Sequence, residues 1–142
     1  MAVATMVLIF TVGFSNFRDF QQRQNLQSST REFRADLRFT QSQALAGVRP
    51  AGCVVLDFYR ISYVSATQYD ISAYCDAGAT PAVPIKTVDL APGMHFLNAF
   101  NIDFKVLGRG TNLTGSLVIT LEDSSTPANQ IQVTVTPGGE IS

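Results

Sequence analysis

No proline interrupts the first 49 residues, and the only glycine before Gly47 is Gly13. Seventeen residues, MAVATMVLIFTVGFSNF, pass before the first charge, Arg18. Beyond it, Leu26, Phe33, Leu37 and Ala44/Leu45 recur at helical spacing among good helix formers such as Gln21, Gln22, Arg23, Arg31, Glu32, Ala35 and Gln43. Glu32 and Asp36 flank Arg34 and Arg38 at helix-neighbour separations. Gly47, followed by Arg49-Pro50, is a stop signal. A helix over residues 1–46 is about 70 Å long, at about 1.5 Å per residue. A chain of 142 residues, the size of one ordinary domain, cannot cover such a rod. Its first third must be buried in something else.

After Pro50 the period changes to two. Strand patterns fall at Val54–Phe58, Ile61–Val64, Tyr69–Tyr74, Val83–Leu90, Met94–Leu97, Ile102–Leu107, Ser116–Leu121 and Gln130–Thr136. Turn signals separate them at 65–68, 91–93, 108–110, 123–127 and 137–139. One long helix followed by short antiparallel strands predicts an α+β chain with segregated elements. It divides into a helical segment, 1–47, with an apolar half at 1–17, and a β-rich head at 48–142. Phe33, Leu37 and Ala44 are expected to pack the second half of the helix onto one face of the sheet.

The net charge of −1 conceals an asymmetry. Residues 15–50 carry six arginines (18, 23, 31, 34, 38, 49) against Asp19, Glu32 and Asp36, whereas residues 51–142 carry four bases against eight acids. This argues against nucleic acid as a partner of the head. Arg18, Arg23, Arg31, Arg34 and Arg38 are expected to meet lipid headgroups or acidic parts of neighbouring subunits.

No arrangement for catalysis or metal binding stands out. His95 is the only histidine, set between Met94 and Phe96, with no nucleophile in a supporting context. Asp57, Asp70, Asp89 and Asp103 are dispersed, one per strand or strand end. Gly108-Arg109-Gly110 lacks the Lys-Ser/Thr ending and following helix of a phosphate loop. Asn112-Leu113-Thr114 fits a glycosylation acceptor pattern, a three-residue match expected by chance. The residues thus give no catalytic, cofactor or metal site and no enzyme. Cys53 and Cys75, 22 apart, lack companions at zinc-ligand spacing. They are either two buried thiols or, if the head lies outside the cytoplasm, one disulfide.

The apolar start lacks the basic segment and cleavage site of a secretory signal. It also falls short of the roughly 20 apolar residues of a full span. The continuous apolar-then-amphipathic helix, the Phe17-Arg18-Asp19-Phe20 step and the β-rich body together resemble type IV pilins and pseudopilins. Within that family the chain is similar to the GspH/FimT type. The likeness lies in Phe39-Thr40-Gln41-Ser42-Gln43-Ala44-Leu45-Ala46-Gly47 at the helix end, in Ile102–Gly110 with the following Leu117–Leu121, and in the closing Val133–Ile141.

The resemblance implies a structural filament subunit of a pilus or secretion pseudopilus. Met1, Val3, Met6, Val7, Leu8, Ile9, Phe10, Val12, Phe14 and Phe17 would first sit in the cytoplasmic membrane and then form the filament core. The head would be extracytoplasmic, which favours a Cys53–Cys75 disulfide. Partners would be copies of the chain, other pilins, the pilus assembly machinery and a prepilin peptidase. The peptidase site and the family's Glu do not occur in the sequence, which implies a start downstream of the leader and first mature residues. Gly13 is either a point where the helix melts on assembly or one where helices approach closely. The alternative implied function is a minor or tip pilin acting as an adhesin or DNA-uptake module.

Overall fold

The computed structural model describes residues 2–78 and 81–142, without the side chains of 2–6, 8, 11, 12 and 15. The expected core residues Met1, Val3, Met6, Leu8 and Val12 therefore lie outside the described residues. Helix α1 runs unbroken from Ala2 to Ala46. It passes through Gly13 and closes at Gly47, whose φ is +63°. There the Gly47 N–H donates to the Ala44 carbonyl and the Val48 N–H to the Gln43 carbonyl, both at 3.1 Å. That pair of bonds is the Schellman closure, and a residue without a side chain at the left-handed position makes it inexpensive.

Seven strands follow among the described residues: β1 (Leu56–Ser65), β2 (Gln68–Cys75), β3 (Val83–Asp89), β4 (Met94–Phe96), β5 (Asn101–Lys105), β6 (Leu117–Asp123) and β7 (Thr126–Val135). They form two antiparallel sheets instead of the single sheet expected, ordered β3-β2-β1-β5 and β4-β6-β7. Several strand boundaries also differ from expectation. Val54 and Val55 are loop, because the Val55 N–H is taken by the Asp76 carboxylate (2.8 Å) instead of a ladder partner. From Leu56 the two expected strands merge into one ten-residue strand, β1. Strand β5 stops at Lys105, where the chain turns through Leu107, held at φ +55°. Strand β7 begins at Thr126, right after the Ser124-Ser125 turn, and accommodates Pro127 because β7 is an edge strand without a ladder partner on that side.

Helix α1 packs on both sheets through Leu26, Phe33, Leu37 and Ala44, all buried. Phe33 is the centre of an aromatic cluster, with ring centroids 5.1 Å from Tyr69, 5.2 Å from Phe96 and 5.3 Å from Phe100. The first two contacts are edge-to-face and the third is tilted; aromatic pairs of this kind add about 0.5–1.5 kcal/mol each to the burial term. The inner row Tyr59, Ile61, Ile71, Ile102, Ile119, Leu121, Val133 and Val135 completes the core.

Candidate functional site: the helix and its two faces

The last twenty residues of α1 are fastened to the head by polar contacts as well as grease. Asp36 is buried and accepts from the Tyr69 hydroxyl at 2.7 Å and from Lys86 Nζ at 2.9 and 3.1 Å. Asp36 therefore reaches across to β2 and β3 and is not the helix-surface partner of Arg34 and Arg38 that its spacing predicts. Burial first, and then the Asp36 contact, hold the Tyr69 hydroxyl well above the usual tyrosine range. Gln41 donates to the Gly139 carbonyl (2.8 Å), and Ser29 accepts from the Ala91 N–H (3.3 Å). At the far end, Tyr59 donates to the Val48 carbonyl (2.7 Å).

Among the first twenty residues, the described side chains present the opposite picture. Phe10, Phe14 and Phe17 are between 64% and 68% exposed, and Val7, Ile9 and Phe20 are exposed as well. Ile9, Phe10, Phe14 and Phe17 surround Gly13 and line an open apolar hollow of about 440 Å³. A side chain added at Gly13 would meet nothing within 4 Å. Exposed apolar side chains this concentrated are uncommon on the surface of a monomeric protein. Among the described residues, no helix is long and apolar enough to cross a membrane.

Of the five stem arginines, Arg18, Arg23, Arg31 and Arg38 are exposed. Arg34 turns inward instead, donating to the Gln132 carbonyl of β7 at 3.3 Å. Nothing local to Arg34 signals this difference, because its partner lies 98 residues away on β7.

Several other polar groups of the head are engaged within the fold. Arg60 pairs with Asp103, its second nitrogen bonding the carboxylate at 2.9 Å. It also lies over the Tyr74 ring at 4.5 Å and the Phe58 ring at 5.1 Å. Asp57 accepts from the Ala77 N–H (2.6 Å), Asp70 from Ser62, and Asp89 from Gln68 (2.9 Å). His95 on β4 stands opposite Glu122 on β6, with Nε2 3.9 Å from the carboxylate. Asn112 bonds the Asp103 N–H (3.0 Å) and the Asn101 carbonyl (3.3 Å). Among the described residues no three His, Cys, Asp or Glu side chains are grouped to hold a metal ion. Cys53 and Cys75 form a disulfide with Cα atoms 5.6 Å apart. It pins the loop before β1 to the last residue of β2.

No family model and no curated protein matches the chain. Two solved structures do, both crystal forms of the type IV minor pilin FimU of Pseudomonas aeruginosa strain PAO1. One has a TM-score of 0.64 at 16% identity, covering 87% of this chain and 90% of FimU. The other has a TM-score of 0.61 at 14% identity, covering 82% and 90%. At these identities the likeness concerns architecture. The long helix laid on an antiparallel β head gives this chain a type IV pilin-like fold, of the α+β class.

Proposed function

We propose that the chain is a structural subunit of a type IV pilus or pseudopilus filament and assembles through the apolar front of α1. The observation that carries this is the division of one continuous helix. Its second half is locked to the head, while its first half projects exposed phenylalanines that the head does not cover. The exposed apolar surface needs two successive environments, the cytoplasmic membrane before assembly and the neighbouring helices afterwards. At about 25 cal/mol per Å² of apolar surface, exchanging lipid for protein contact is nearly neutral in hydrophobic terms. Packing, charge pairing and an energy-coupled assembly machine must therefore supply direction. Arg18, Arg23, Arg31 and Arg38 supply charge that can face acidic groups of adjacent heads. The head would lie on the extracytoplasmic side.

A second reading, a minor subunit at low copy number that carries an adhesive or DNA-binding role, draws support from the minor-pilin status of FimU. The eight acids of the head against four bases weigh against the DNA-binding form of it. The experiment is deletion of residues 1–17. The expected product is a folded, monodisperse head that enters no filament. Filaments containing the truncated chain in wild-type amount would refute the assembly role.

A further inference from the structure

Resting on the filament reading above, we infer a specific contact between two copies: Phe39 of one inserts into the hollow over Gly13 of another. The helix geometry supplies the first part. At about 100° per residue, Phe10, Gly13, Phe17 and Phe39 all lie within about 40° of the direction opposite the face that carries Leu26, Phe33, Leu37 and Ala44. The hollow and Phe39 therefore share the outward side of α1, away from the head. The hollow is lined almost entirely by apolar atoms of Ile9, Phe10, Phe14 and Phe17, with Gly13 as its floor. A bulky apolar knob is the complementary shape.

Phe39 is that knob. It is 41% exposed on a stretch of helix whose other outward residues, Ser28, Arg31, Ala35 and Ser42, are small or polar. Leu45, the other exposed large apolar residue there, lies on a different side, beside Gly108 of its own head. The hollow cannot be filled by Phe39 of the same chain, because the two are joined by unbroken helix. A second copy is required. Two parallel helices staggered by the 26 residues between Gly13 and Phe39 are offset by about 39 Å. That stagger also brings Arg38 of one copy within a turn of Phe14 of the other. Arg38 makes no hydrogen bond or ion pair among the described residues, and Phe14 presents an exposed ring. A guanidinium over such a ring is favourable when desolvated, whereas a lipid tail offers Arg38 nothing. The chemistry therefore favours another copy over lipid as the final occupant.

The experiment is a size swap in the full chain, scored by filament yield. Gly13→Leu fills the hollow and Phe39→Ala removes the knob. Each alone is expected to lower yield by roughly tenfold or more, the scale of a central interface residue. The double variant is expected to return to within about threefold of wild type. Leu is a better helix former than Gly, so a loss in Gly13→Leu cannot come from a broken helix. Head unfolding measured on the same variants checks that the fold is intact. A paired cross-link, Phe14→Cys in one copy with Arg38→Cys in another, should give an intermolecular disulfide within filaments. Harmless single variants, a double variant no better than the worse single, or filaments without the cross-link overturn the contact. Loss with Gly13→Leu but none with Phe39→Ala also overturns it and points to lipid, another segment, or a helix that must open at Gly13. A wild-type chain that yields no filament refutes the filament reading itself, so the two failures are distinguishable.

Discussion

Replacing Asp36 by Ala should loosen the helix from the head by an amount that can be worked from its contacts. The substitution leaves the Tyr69 hydroxyl, in a fully buried residue, without its 2.7 Å acceptor. An orphaned buried hydroxyl costs about 1–3 kcal/mol. The lost pairing with Lys86 adds less, because that side chain is 43% exposed, and exposed ion pairs contribute about 1 kcal/mol or below. Alanine recovers roughly 0.5 kcal/mol as the better helix former. The net expectation is a loss of about 0.5–3.5 kcal/mol, or a fall in Tm of roughly 1–14 °C for a chain near 150 residues. Urea unfolding followed by circular dichroism, repeated at several protein concentrations, measures it. In a double-mutant cycle with Tyr69→Phe the coupling should exceed about 1 kcal/mol. A single-variant loss below about 0.5 kcal/mol, or a cycle without coupling, would show that the buried carboxylate does not hold the helix in place.

The raised Tyr69 and Tyr59 hydroxyls make stability fall in alkali. Their contribution is complete below the unfolded value of 10.0 and is lost above it, because only the unfolded chain then releases the protons. Each tyrosine that stays protonated contributes a slope of about 1.4 kcal/mol per pH unit. Tyr69→Phe should remove one such contribution, and an unchanged slope above pH 10 would contradict the assignment. Replacing Cys53 and Cys75 by Ser opens a loop with a sequence separation of 22. Chain-entropy arithmetic puts the cost at about 3 kcal/mol, read as a lower urea midpoint with the helix content of the native state retained. Gly110→Ala should destabilise by more than about 1 kcal/mol, since its Cβ would lie 2.9 Å from the Pro137 carbonyl oxygen at a φ of +79°. A wild-type thermal midpoint in that variant would refute the close approach.

The helix was readable because each of its signals is local. An unbroken run of helix formers, buried residues at 26, 33, 37 and 44, and a glycine stop at 47 all act over a few residues. The strands were readable as existing, yet not where they end. Val54 and Val55 have strand composition, but a disulfide and a carboxylate from 21 residues away hold them out of the ladder. The division into two sheets was not readable, because it depends on which strands meet across the helix and not on any one strand's pattern. The stem arginines show the same limit. Arg34 and Arg38 are alike in sequence, and only the position of β7 makes one of them part of the head. Asp36 was equally hidden, since its partners Tyr69 and Lys86 lie 33 and 50 residues away.

The central claim is that the exposed front of α1 becomes the interior of a filament. Electron cryomicroscopy of material assembled by cells making the full chain tests it most directly. The expected map shows helices at the axis, with Phe10, Phe14 and Phe17 buried between copies and β heads on the outside. Filaments lacking the chain, or a map in which Phe10–Phe17 face solvent while the heads make every contact, would contradict it.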